Sequence, residues 1–206
     1  MTRDEERLAR AQEAPIVGSL PDVPGIVAAM RLTPGLGVHL RGLADELLVN
    51  DYPGATLSRA QREFLAAAVS AANGCFFCMD SHGEHASALL ERTGDREQIA
   101  LIDALKAGSS EGFDPKMRAL LAIARTVGGD ARELSAEDAA RARQAGASDG
   151  DVQLAVLIAA GFSMYNRMVD GFRARTPGSL AAYRERARDI AEHGYGMPAP
   201  EPAASA

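Results

Sequence analysis

Cys75 and Cys78 are the chain's only cysteines, and His82 follows them in a C-x-x-C-x-x-x-H arrangement. A thiolate attacks the O–O bond of a peroxide, and a second thiol three residues away can close a disulfide on the oxidised first one. Asn73-Gly74, just before the pair, is a left-handed helix stop, so Cys75 falls at the start of a new helix and both sulfurs lie near its N-terminus. The partial positive charge there favours thiolate. Lowering a thiol pKa from about 8.5 to about 7 takes the ionised fraction at neutral pH from a few per cent to about half. At about 100° per residue Cys75, Cys78 and His82 share one helix face, and the step from Cys78 to His82 brings imidazole within reach of sulfur, where it can take the thiol proton. By helix-end electrostatics either cysteine can be the attacking one.

Plainer readings compete with this one. A lone C-x-x-C can be a pair of small buried residues or half of a metal site. Cys75, Cys78, His82 and His85 offer two sulfurs and two nitrogens, but the length of one helix that carries them, about 15 Å, cannot wrap a tetrahedral ion. A zinc site therefore needs Cys75, Cys78 and a ligand from elsewhere, and no metal or cofactor is expected. Glu63 precedes Cys75 by twelve residues and shares a helical stripe with the small residues Ala60, Ala67 and Ser70, which permit close approach of a neighbouring helix. If that neighbour is the cysteine helix, Glu63 can relay protons; otherwise it is an ordinary exposed glutamate. His85, one turn beyond His82, reads as a cap or a surface residue, and His39 and His193 have no visible partner. Phe76, Phe77, Met79, Phe64 and Phe162 read as core, with the phenylalanines able to line a dry approach for an apolar hydroperoxide. Asn166, Arg167 and Asp170, polar residues in an apolar helix, suit a buried hydrogen-bond network, a subunit contact or a face of the site.

Alanine and leucine dominate, aromatics are few and tryptophan is absent, which favours helix over sheet. The expected fold is an all-α compact helical bundle. Its boundaries are a partly flexible lead over residues 1–20, one domain over 21–195 and a disordered tail over 196–206. A short segment at Ile26 to Leu32 precedes a helix opened by Thr33-Pro34 and running to about Val49. Ser58 with Gln61 caps a helix ending at Asn73-Gly74, and the cysteine helix runs to Gly94. Further helices are expected over Asp95 to Ala107, Lys116 to Val127, from Ser135 to Gly146, from Ser148 to about Phe172, and from Pro177. A shift of 89 residues lays Leu65, Ala66, Ala71 and Met79 over Leu154, Ala155, Ala160 and Met168, a hint of an internal repeat. A net charge of −6 leaves no broad basic surface, so nucleic acid is not an expected partner. No run is expected to approach the ~18 apolar residues of a membrane span, which points to a cytoplasmic location.

The run SRAQREFLAAAVSAANGCFFCMDSHGEHA resembles the motif of the alkylhydroperoxidase D-like branch of the carboxymuconolactone decarboxylase superfamily, in which a glutamate precedes C-x-x-C-x-x-x-H by twelve residues. The likeness extends from about Pro21 to Phe172 and is greatest to the peroxidase-related subgroup. It implies an all-α bundle assembling as homo-oligomers, trimers or hexamers, and cysteine-based reduction of hydroperoxides. It implies that Cys78 is peroxidatic, Cys75 resolving, and Glu63 and His82 the proton relay. The reductant would be a dithiol, a lipoyl-bearing adaptor or a thioredoxin-like protein. Phe77 stands where the family's best-known member has another histidine between its cysteines, so the complete relay is not present. Two other classes fit the sequence: a non-enzymatic thiol switch, and a lactone enzyme that uses Glu63 and His82 without the thiols.

Overall fold

The computed structural model describes residues 14–196 together with 5, 6, 8 and 9, and it contains no strand among them. Helix α1 (Ile26–Leu32) turns at Thr33 into α2 (Pro34–Leu48), whose proline opens its first turn. The two helices cross where Gly37 meets Met30; a Cβ at Gly37 would lie 2.3 Å from the Met30 carbonyl oxygen, so only glycine permits the crossing. Helix α3 (Arg59–Ala72) begins with the expected capping box between Ser58 and Gln61. Helix α4 (Phe76–Thr93) starts from Cys75 as its N-cap and ends at left-handed Gly94.

Past Gly94 the expected single helix is two: α5 (Arg96–Ile99) and α6 (Ile102–Lys106). The chain turns between them, which lets Ile102 and Leu105 reach the core while α5 stays at the surface with no buried residue. Helix α7 (Pro115–Asp130) is capped by Asp114 and continues past Val127 into a 3-10 turn (Ala131–Glu133). Capping boxes open α8 (Ala136–Gln144) and α9 (Asp149–Phe172), and α10 (Ala181–His193) starts one turn later than Pro177 suggests. The internal repeat does not survive: its first copy is interrupted at Asn73-Gly74, whereas α9 runs on without a break.

Helix α3 is the centre of the bundle, packed on α4, α7 and α9, and every residue from Arg62 to Ser70 is buried. Phe64, Leu65, Leu120, Leu121, Leu154 and Ile158 form the middle of the core, fully out of water. Each such side chain contributes about 1.5–3 kcal/mol relative to exposure. Helix α9 is long and apolar enough by composition to cross a membrane, contrary to the sequence expectation; in the fold it lies against α7 and α3. The lead packs too, with the Ile16 amide donating to the Phe172 carbonyl at 3.1 Å and Leu20 resting on the cysteine cluster. The expected tail, apart from Gly196, lies outside the described residues.

Candidate active site

The turn that presents the cysteines is fixed from three sides. Gly74 takes φ +72°, which only glycine adopts without strain, and the Cys75 amide donates to the Ser70 carbonyl at 2.9 Å. The Asn73 side chain donates to the Asn166 carboxamide oxygen at 2.9 Å, and Asn166 donates to the Ser70 hydroxyl at 3.0 Å. Asn166 thus ties α9 to the end of α3 and to the turn, which satisfies its buried amide. Arg167 is exposed and donates to the Ser163 carbonyl within its own helix. Asp170 lies near enough to Cys75 for its charge to oppose ionisation of that thiol.

Cys75 and Cys78 are free, buried thiols 3.4 Å apart. A modest turn of either side chain brings the sulfurs toward bonding distance. The expectation that the helix end activates both thiols fails for Cys75. Its hydrogen bond to Cys78 and its burial push its pKa well above the usual value, with the charges of Cys78 and Asp170 adding to the effect. Burial and a sulfur partner outweigh the partial charge of the helix end at this position.

Glu63 reaches α4 from the central helix and is completely buried. Sequence spacing left it as readily a surface residue, and the correction comes from α3 having no solvent-facing side. Its Oε2 lies 2.6 Å from His82 Nδ1, and its Oε1 accepts from the Tyr195 hydroxyl at 2.7 Å. Burial alone would raise the Glu63 pKa, but the imidazoles of His82 and His85 more than offset it and bring the value to about 2. An ionised Glu63 can only accept, so His82 donates to it from Nδ1, and its Nε2 is the ring nitrogen left free of the carboxylate.

His85 is buried in the same cluster, neither a cap nor a surface group. Its Nδ1 lies 2.8 Å from the Tyr195 hydroxyl and its Nε2 3.4 Å from the Ser81 hydroxyl. Burial lowers its pKa, which favours the neutral ring. Tyr195 has one proton, given to Glu63, so its oxygen accepts from His85 Nδ1–H and His85 Nε2 accepts from Ser81. The result is a directed chain from Ser81 through His85 and Tyr195 to Glu63, with His82 donating to the same carboxylate. Burial and the neighbouring Glu63 charge raise the Tyr195 pKa well above the usual value, so it stays a phenol.

Sequence reasoning missed His85 and Tyr195. The first had a signal, since a step of three along α4 keeps it beside His82. Tyr195 had none: it arrives by way of Gly194, at φ +79°, and by its amide donating to Asp45 at 2.6 Å. His39 and His193 are exposed and far from the cluster in role, His193 pairing with Asp189 on its own helix.

A cavity of about 450 Å³ opens beside these groups. Cys78, Ser81, His82, His85 and Tyr195 line it, and Cys75 does not. Phe162 stands edge-on to the His82 ring with centroids 4.4 Å apart, and Phe77 packs at 5.7 Å from Tyr183, so both phenylalanines wall the cavity. Gly25 lies against Phe77, where a Cβ would come within 2.1 Å of the ring. Among the described residues Glu63, His82 and His85 alone have ligand atoms spaced for a metal, within 4.8 Å of one another. Their atoms are already engaged in the hydrogen bonds above, with Glu63 and His82 at proton-sharing distance, so the group fits a proton network better than an ion.

The model of the carboxymuconolactone decarboxylase family matches residues 39–126, a stretch from α2 into α7 that contains Glu63, Cys75, Cys78 and His82. Over this segment, less than half of its length, the chain is similar to the carboxymuconolactone decarboxylase family. The bundle is similar to that of an uncharacterized peroxidase-related protein from Ralstonia eutropha JMP134, described as an alkylhydroperoxidase AhpD core, with a TM-score of 0.66 at 24% identity over 81% of this chain and 82% of that one. An uncharacterized peroxidase-related protein from Silicibacter sp. TM1040 gives 0.65 at 22% identity over 86% of this chain and 95% of that one. No curated protein matches the sequence. These likenesses show the fold: a helical bundle like that of the two peroxidase-related proteins.

Proposed function

We propose that this protein is a thiol-dependent hydroperoxide reductase in which Cys78 attacks and Cys75 resolves. The observation that carries the reading is the position of Cys78, which lines the cavity while Cys75 lies behind it at 3.4 Å. His82 Nε2 accepts the Cys78 proton, and the imidazolium that forms is stabilised by Glu63, to which it already donates. The Cys78 thiolate attacks the terminal peroxide oxygen, the O–O bond breaks, and the leaving alkoxide takes the proton back from His82 to depart as an alcohol. Cys78 is left as a sulfenic acid. Cys75 then attacks it, the disulfide closes, and the hydroxyl leaves as water with the Cys75 proton. An external dithiol returns the two electrons.

The raised pKa of Cys75 orders these events, because Cys75 stays a thiol while Cys78 carries charge and becomes easier to ionise once Cys78 is an uncharged sulfenic acid. Tyr195 and His85 support the relay by fixing the Glu63 carboxylate on its far side. Phe77 takes the place of the family's second relay histidine, and the Tyr195–His85 branch supplies another route for hydrogen bonding to Glu63. The reductant reads as a lipoyl-bearing or thioredoxin-like dithiol protein, and a homo-oligomer as the working form, both from resemblance.

The test uses reduced protein and one equivalent of an organic hydroperoxide without oxygen, with thiols counted by mass spectrometry. Rapid conversion of Cys75 and Cys78 to one intramolecular disulfide is expected, and Cys78→Ser abolishes it. Free thiols after prolonged exposure would sink the reading, and turnover with an added dithiol separates an enzyme from a redox switch.

A further inference from the structure

The cavity beside Cys78 is larger than hydrogen peroxide needs and of the size that encloses a small organic ligand. Val23, Ile26, Val27 and Met30 form one wall and Phe162 and Ile190 stand on others, so most of the lining is apolar. Among the described residues its charged side chains are all of one kind: Arg31, Arg41 and Arg186 line it, from α1, α2 and α10, and no described carboxylate does. This asymmetry appears in a chain whose net charge is −6. Arg186 is shared with Asp189 at 2.8 Å, whereas Arg31 and Arg41 have no ion-pair partner among the described residues.

Two guanidinium groups without a carboxylate partner among the described residues, beside an apolar cavity, match an amphipathic anion. A guanidinium is a planar fork that binds carboxylate in two parallel hydrogen bonds and is desolvated more readily than an ammonium. Arg31 is exposed and Arg41 half-buried, so the charged end of a ligand would sit toward the surface while its apolar body runs inward to the sulfur. We propose that the preferred substrate is an alkyl hydroperoxide bearing a carboxylate, held by Arg31 and Arg41 with its chain on the apolar walls and its peroxide at Cys78. The inference rests on the peroxidase reading for its chemistry. The products follow: the two cysteine thiols supply two electrons, the O–O bond is cleaved, and a hydroxy acid, one water and the Cys75–Cys78 disulfide result.

Binding can be measured without turnover. Titration calorimetry of the reduced protein at neutral pH would compare decanoate with methyl decanoate, which share a chain and differ in charge. Decanoate is expected to bind at least about tenfold more tightly, the range for a charge-assisted hydrogen bond. The double variant Arg31→Gln/Arg41→Gln should bring the ratio close to one. Circular dichroism would check folding, and added salt should narrow the ratio in the unaltered protein as a second readout. Equal affinity for acid and ester, or no binding of either, overturns the carboxylate proposal and leaves the thiol chemistry standing. Failure of the peroxidase reading is separately visible, as thiols that stay reduced with every hydroperoxide whatever its charge.

Discussion

Glu63 and Asp151 are both buried carboxylates with no exposed surface, each with a pKa brought down to about 2, and they are surrounded in opposite ways. Asp151 faces fixed donors: the amides of Thr56, Leu57 and Ser148 at 2.6, 3.1 and 3.1 Å, the Thr56 hydroxyl and the Lys116 ammonium. Burial would raise its pKa, and the Thr56 and Ser148 amides, with Lys116, outweigh that. It pins the loop before α3 to the first turn of α9. Glu63 faces partners whose protons can move, two imidazoles and a phenol, and His82 and Tyr195 also line the cavity. A depressed pKa therefore does not distinguish a clamp from the relay proposed for Glu63; the mobility of the partners' protons and access to a cavity are what set the two apart.

The largest effect that would sharpen this contrast is on stability. Asp151→Ala leaves three amide donors buried without an acceptor and should cost about 3–5 kcal/mol in denaturant unfolding. The rate of thiol oxidation per folded molecule should not change. The pH dependence has a definite sign: the folded-state pKa lies below the unfolded one, so the contribution is complete above about pH 4 and disappears as the pH falls through about 2. A variant as stable as the parent would remove Asp151 from the comparison.

Next is Glu63→Gln, which keeps the shape and removes the charge that, in the proposed mechanism, stabilises the His82 imidazolium. The second-order rate of Cys78 oxidation by an organic hydroperoxide should fall about 10²-fold. If the melting temperature collapses while the rate holds, Glu63 is a clamp like Asp151 and the contrast breaks. The smallest effect belongs to Tyr195→Phe, which deletes one hydrogen bond to Glu63 and one to His85. A drop of about tenfold is expected, with a shifted pH–rate profile that a purely packing role would not move. A rate and profile identical to the parent would confine the relay to Glu63 and His82.

Much of the helix pattern was legible beforehand, because capping boxes at Ser58, Ser135 and Ser148 and the glycine stop at Gly94 are local devices whose partners lie within a few residues. Where local rules failed, packing had overruled them. Asp95 to Ala107 reads as one helix, but burying Ile102 and Leu105 under α3 requires the turn at Ala100 and Leu101. The thiols behaved similarly: the helix start at Cys75 was legible, while the neighbouring sulfur and burial that raise its pKa were not.

The sequence by itself determined the all-helical class, the position of Cys75 and Cys78 at a helix start, and His82 one turn further on, since each depends on contacts within about four residues. Only the tertiary structure decided that Glu63 is buried, that His85 is a member of the site, that Cys78 and not Cys75 meets the cavity, and that Tyr195 completes the proton network. Those four facts depend on how α3, α4 and the segment after α10 pack together. Glu63 and Tyr195 are separated by more than half the chain, and no local periodicity encodes a contact at that distance.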